Sequence, residues 1–136
     1  MLNFREFEAG PDPFGRKFQV YFKWLQTAIS IRHSDTVDVK FILVERKDNP
    51  EGEDQPENAR FAKTIALPHA DLLRVSKELA RPMDDSWCAR LAMLHLQHLV
   101  NTGEDMEKDL VTVLPADLLR YSRELAEVEK REIHAA

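Results

Sequence analysis

Apolar and polar residues alternate over much of the first half of the chain. Residues 18–24 and 36–45 place apolar side chains at every second position, and residues 27–32 continue the pattern after a shift of phase at residues 25–26. This period is typical of strands with one buried face, and a phase shift indicates a β-bulge. With a softer return strand at residues 60–67, the pattern predicts an antiparallel meander. The first strand is predicted to bury four side chains on one face: Phe18, Val20, Phe22 and Trp24.

The second half of the chain changes to the period of amphipathic helices. The pattern predicts helices over residues 68–81, from about residue 85 to Asn101, and from Pro115 onward, with a short strand at residues 110–114. The expected fold is therefore one α+β domain spanning residues 1–136. Its mainly antiparallel sheet of about four to five strands would pack against three helices.

Two segments show no such periodicity. Residues 1–17 hold three phenylalanines among closely spaced glycines and prolines, which predicts an irregular arm. This arm is expected to pack over the edge of its own domain, with packing on a second copy as the alternative. Residues 46–59 combine two prolines and a glycine with excess acid, and they predict a mobile, solvated loop.

One motif occurs twice. Residues 64–80 read TIALPHADLLRVSKELA, and residues 112–126 read TVLPADLLRYSRELA. Each copy is a strand, a Leu-Pro step and an amphipathic helix, so the repeat predicts two equivalent scaffold elements. A duplicated docking surface is the functional alternative, although exposed charge pairs like those in the motif are common and weak.

The helix between the two copies is apolar almost all round. Only Ser86, Arg90 and Gln97 form a narrow polar strip. A helix of this kind belongs in the middle of a small domain or in an oligomer interface.

The candidate ligand-binding residues project from one side of this helix: Trp87, Cys88, His95 and His98. The two histidines could ligate a metal if a carboxylate from residues 104–107 joined them. Since His-x-x-His alone lacks a third ligand, buried histidines hydrogen-bonded within the core or an interface are the favoured interpretation. Cys88 lies too far from His95 along one helix for activation as a nucleophile, so no catalytic residue and no cofactor are predicted.

The distribution of charge along the chain limits the classes of partner that the protein is expected to bind. The net charge is −5, and residues 48–58 carry all of it, so acidic and basic residues cancel over the rest of the chain. No basic excess remains for a phosphate backbone or an anionic lipid surface, and neither nucleic acid nor membrane is an expected partner.

Cysteine and glycine usage narrow the class of protein further. The chain has one cysteine and four glycines, and it contains neither a glycine-rich phosphate loop nor a Gly-x-Ser-x-Gly elbow. Its N-terminus lacks the apolar run of a signal peptide, and Phe41–Val44 is its longest uninterrupted aliphatic or aromatic run. A cytoplasmic location is expected.

These features predict a non-enzymatic binding or regulatory protein that self-associates, as a homodimer, or binds a protein partner. The alternative is a small enzyme or metal-dependent ligand-binding protein centred on His95 and His98.

Overall fold

The computed structural model describes residues 3–28, 35–46 and 60–135. The predicted acidic loop lies outside these residues except for Arg46, and so do residues 29–32 of the predicted second strand. The described elements, in chain order, are β1 (Glu6–Ala9), β2 (Lys17–Ala28), β3 (Thr36–Arg46), β4 (Arg60–Pro68), α1 (His69–Glu78), α2 (Asp85–Thr102), β5 (Leu110–Thr112) and α3 (Pro115–Ala135).

The strands form one sheet in the order β1-β2-β3-β4-β5. The first four strands pair antiparallel, whereas β5 runs parallel to β4. The chain reaches β5 through α1 and α2, as a parallel connection requires a crossover. The predicted α+β class is confirmed, with a mostly antiparallel mixed sheet of five strands and three helices.

Helix α2 lies in the middle of the domain. One side of it contacts β1, β3 and β4, and it also contacts α3, which in turn packs against α1. Trp87, Leu91 and Leu96 are each no more than 1% exposed. Protein surrounds α2 on more than one side, which accounts for its apolar side chains nearly all round the helix.

The β-bulge of β2 lies earlier than predicted. Phe22 pairs with Phe41 and Trp24 pairs with Lys40, so the bulge is at Lys23. Phe41 is fully buried in the core, whereas Lys40 points to the other face of the sheet. The prediction that Trp24 shares the buried face with Phe22 is therefore wrong, because the extra residue reverses the alternation.

The N-terminal arm is ordered on its own domain. Residues 6–9, predicted to be irregular, form β1 and pair with β2. Phe7 is buried edge-on against Phe41 with ring centroids 5.6 Å apart, and Phe4 packs in the same way on Phe22 at 5.3 Å. The strand alternates exposed glutamates with buried Phe7 and Ala9, but four residues are too few for this pattern to identify a strand by itself.

The two copies of the motif begin on neighbouring strands. Helix α1 directly follows β4, and α3 follows β5 after two residues, while β4 and β5 are parallel neighbours. In each helix the aspartate pairs with the arginine three residues later, Asp71 with Arg74 and Asp117 with Arg120, both at 3.1 Å. These pairs are partly exposed and contribute little to stability.

Candidate functional site

Helix α2 presents the predicted ligand-binding residues. The helix is capped by Asp84, whose carboxylate accepts from the backbone nitrogen of Trp87 at 2.8 Å, and it ends at the left-handed Gly103. The helix does not bring the four candidates into one site, since Trp87 and His98 line different clefts.

Cys88 is a core residue. Its side chain is buried, and that burial raises the pKa of the thiol to about 12, with Asp85 and Asp84 adding to the rise. A thiol with such a pKa stays protonated at neutral pH, and the thiolate is the nucleophilic and metal-binding form. Cys88 is therefore poorly suited to react or to bind metal.

His95 is buried between α2 and α3. Its Nδ1 lies 2.9 Å from the hydroxyl oxygen of Tyr121, and its buried Nε2 meets no hydrogen-bond partner among residues 3–28, 35–46 and 60–135. Burial lowers the pKa of His95 to about 4, against the attraction of Asp117. The imidazole is thus neutral at neutral pH and is fixed by one hydrogen bond.

His98 lies next to His95 but closer to solvent. Its side chain is 35% exposed, and its Nε2 is 3.6 Å from a carboxylate oxygen of Glu104. The two imidazole rings stack with centroids 6.3 Å apart and planes 25° apart. Across the three described segments, no group of three or more His, Cys, Asp or Glu side chains could hold a metal ion.

Tyr121 completes this cluster and was not predicted. It occupies the position of Val75 in the other copy of the motif, and both side chains are buried. Arg120 donates to the Tyr121 hydroxyl at 3.3 Å, so the hydroxyl serves both an arginine at the surface and His95 in the core. The replacement of an aliphatic residue by tyrosine was the sequence signal that α3 meets a polar group.

The histidine cluster borders a small, polar cleft between α2 and α3. Its volume is about 280 Å³, and its polar lining residues are Gln97, His98, Asn101, Arg120, Tyr121 and Glu124. Burial raises the pKa of Tyr121, so its phenol stays protonated at neutral pH. With a neutral His95 and a protonated Tyr121, the hydrogen bond between them joins α3 to α2.

A buried lysine was also missed. Lys63 lies on the core face of the sheet opposite Phe41 and is 1% exposed. Its Nζ donates to the carbonyl oxygens of Asp105 at 2.7 Å and Lys108 at 2.5 Å, which fastens the loop after α2 to β4. Burial lowers the pKa of Lys63, against the attraction of the acidic side chains of that loop. The sequence signal for its burial was its position two residues after Phe61, because alternate residues of a strand share one face.

The opposite face of the sheet, the outer face, mixes large apolar side chains with polar and charged ones. This outer face bears five large apolar side chains that lie outside the core cluster of the described residues: Tyr21, Trp24, Ile42, Val44 and Leu110. Tyr21 is 42% exposed and Leu110 is 58% exposed. An antiparallel sheet that simply faces water alternates apolar residues inside with polar residues outside, and this sheet departs from that pattern.

The outer face has rims of opposite charge. One row across the sheet runs from Glu8 through Gln19 and Val44 to Arg60. An acidic side chain therefore stands at the β1 rim and a basic one on β4. At the centre, the Lys40 ammonium lies over the ring of Trp24, 5.8 Å from its centroid.

Comparison with protein-family models, curated proteins and solved structures finds no match to this chain. None of the described helices is long and apolar enough to cross a membrane.

Proposed function

We propose that the protein is a non-enzymatic interaction module that self-associates through the outer face of its sheet. The observation that carries the proposal is the set of aromatic and aliphatic side chains on that face, including Tyr21, Trp24 and Ile42. Tyrosine and tryptophan are enriched at protein interfaces, because they supply large contact areas and a polar tip.

The size of the outer face suits a dimer. Five strands about 4.8 Å apart span roughly 24 Å, and four rows of alternate residues span about 27 Å, which gives about 650 Å² per copy. Two such faces bury about 1,300 Å² together, which is within the range of specific interfaces. Two sheets that pack face to face also keep their strands nearly aligned, so two copies of one face fit this geometry.

Charge favours a second copy as the occupant. A two-fold axis parallel to β3 places the β1 rim of one copy over the β4 and β5 side of the other. Glu8 and Arg60 lie in the same row, so each would approach its opposite in the partner, where Arg60 would join the pair that Glu8 already forms with Arg46 of its own chain at 3.1 Å. Such complementary rims orient two copies more than they strengthen binding.

Two features first suggested self-association, namely the apolar surface of α2 and the phenylalanine-rich arm. Both pack within one chain. The apolar faces of α2 meet the sheet and α3, and Phe4 and Phe7 of the arm pack on the sheet. The proposal now depends on the outer face. Of the three phenylalanines of the arm, only Phe14 stays largely exposed, at 84%.

A small enzyme or metal-dependent protein centred on His95 and His98 receives less support. His95 already bonds to Tyr121, and the pKa of the Cys88 thiol is about 12. A cytoplasmic location and the lack of nucleic-acid partners belong to the same proposal, the first supported by the single free cysteine and the second by the net charge of −5.

Sedimentation velocity over a range of protein concentrations tests the proposal. We expect a dimer for the native chain and a monomer for Ile42→Lys, because a lysine at the centre of the interface would bury an unpaired charge. A native chain that stays monomeric at tens of micromolar would overturn the proposal.

The matched control is Leu73→Lys. Leu73 lies on α1 and is 41% exposed, more than the partly buried Ile42, and it places the same substitution on an apolar side chain of another surface. This variant should dimerise like the native chain. If it dissociates equally, or if folded Ile42→Lys remains dimeric, the outer face is not the interface.

A further inference from the structure

A second cleft lies on the opposite side of α3 from the histidine cluster. It has a volume of about 320 Å³ and is formed where the chain between α1 and α2 passes α3. Its lining includes Leu79, Arg81, Pro82, Trp87, Ala126 and Lys130. We propose that this cleft, the Arg81 cleft, binds a small organic anion with one carboxylate head and an apolar body.

The charges in the Arg81 cleft favour an anion. Arg81 and Lys130 supply two positive charges, whereas Glu129 supplies one negative charge. Glu129 pairs with Nη2 of Arg81 at 2.8 Å and so leaves Lys130 as the surplus cation of the cleft. A carboxylate placed between the guanidinium and the ammonium would balance the site.

Arg81 has unused donor capacity. Its Nε–H is buried and has no acceptor in the described part of the chain, while 31% of its side chain remains exposed. A guanidinium has five N–H donors, and native proteins rarely leave such donors unfilled in a buried setting. Because the Nε nitrogen itself is buried, a ligand oxygen would reach the exposed part of the guanidinium, beside its pair with Glu129.

The backbone holds Arg81 in place before any ligand arrives. The Arg81 nitrogen donates to the Ser76 carbonyl at 2.9 Å, and the Ser76 hydroxyl donates to the Arg81 carbonyl. Ala80, between them, has the left-handed φ of 50° that turns the chain out of α1. The arginine is therefore fixed at its backbone, which reduces the entropy lost on binding.

The remaining walls define the body of the ligand. Leu79, Pro82 and Ala126 are apolar, and Trp87 also lines the cleft but is only 1% exposed, so it offers little ring surface to a ligand. A volume of about 320 Å³ is near the lower end for small-molecule sites, which favours a ligand the size of one ring with a short substituent. This inference is independent of self-association, because the cleft lies among helices and the outer face belongs to the sheet.

Benzoate is the probe, and benzamide is its uncharged counterpart. In ¹H–¹⁵N NMR titrations of the native chain, benzoate should shift the Arg81 Nε–H and the Trp87 indole N–H in a saturable way. Benzamide should shift them much less, because it has the same shape without the charge. Equal shifts from both compounds, or no saturable shift from benzoate, would overturn the proposal.

Two exposed neighbours on α3 provide the variants. Lys130→Gln removes the surplus cation, and it should weaken benzoate binding roughly fivefold, as expected for one partly exposed charge pair. Arg131→Gln is the control, because Arg131 lines a different cleft. It should leave the affinity unchanged. Equal affinities for the two variants would contradict the site, and neither exposed position puts the fold at risk.

Discussion

The hydroxyl of Tyr121 lies 2.9 Å from Nδ1 of His95 and joins α3 to α2 inside the core. Arg120 reaches the same hydroxyl from the surface at 3.3 Å. The other ring nitrogen of His95, Nε2, is buried without a partner in the described residues. The bond to Tyr121 is therefore the main polar interaction of the imidazole. The position of α3 therefore depends on one shared hydroxyl as well as on apolar packing.

Replacing Tyr121 with phenylalanine should destabilise the fold by about 1–3 kcal/mol, because His95 would lose its hydrogen-bond partner in a buried setting. Urea denaturation measures the change. Ser122→Ala is the control, since its hydroxyl bonds only to Leu118 in the same helix, and we expect a smaller loss. Equal losses in the two variants would show that the contact between the helices adds nothing specific.

The pH dependence of stability should carry the signature of His95. The folded chain has a pKa of about 4 at His95, and the ordinary value is 6.5. Between these values the unfolded chain takes up the proton and the folded chain does not. The free energy of unfolding should therefore decrease as pH falls from 6.5 to 4, by up to about 3 kcal/mol from this group.

His95→Gln should lack this contribution to the pH dependence. Urea denaturation of both chains at several pH values between 7 and 4 gives the difference between the two curves. That difference should change steadily below pH 6.5. Parallel curves would mean that His95 titrates normally in the folded chain.

Lys63→Met should destabilise the fold by about 2–4 kcal/mol. Methionine keeps an apolar stem in the core, but the carbonyl groups of Asp105 and Lys108 would lose their donor. Thermal denaturation followed by circular dichroism measures the loss. Lys77→Met, at an exposed position on α1, is the control and should be nearly neutral. A neutral Lys63→Met would mean that water replaces the ammonium without cost.

Gly103→Ala should be more damaging than Gly15→Ala. Both glycines have left-handed φ angles, 75° and 81°, so alanine strains the backbone at each by about 1–2 kcal/mol. A Cβ at Gly103 would also come within 3.1 Å of Pro13, whereas one at Gly15 meets nothing within 4 Å. Thermal denaturation of both variants isolates that contact.

The Pro13→Ala background provides the check on this interpretation. Removing the proline ring should bring the effect of Gly103→Ala close to that of Gly15→Ala. If the two glycine variants already match in the native background, the arm does not press on the end of α2.

Hydrophobic periodicity predicts the elements of this fold well but not their exact phase. The alternation of Val37, Val39 and Phe41 identifies a strand because one face of β3 is buried throughout. At Trp24 the same reasoning fails, since tryptophan fits the buried pattern and only pairing with Lys40 reveals the bulge. Pairing is a property of two strands, and one strand alone does not contain it.

The residues of the candidate sites could likewise be predicted only in part from the sequence. Sequence reasoning identified His95 and His98 because they interrupt an apolar helix. It missed Tyr121, Arg81 and Lys63, whose roles depend on contacts with distant segments. Lys63 bonds to residues more than forty positions away, a relationship that no local pattern encodes.

The strand order also has a consequence for folding. Strands β1 to β4 follow the same order in the sheet as in the sequence, so each of them after β1 pairs with the strand that precedes it in the chain. Such local pairing gives a low contact order and favours rapid assembly. Strand β5 must instead wait for α1 and α2 to form and cross the sheet. The pairing of β5 with β4 joins Thr64 to Leu110, which are 46 positions apart, so we expect it to form late in folding.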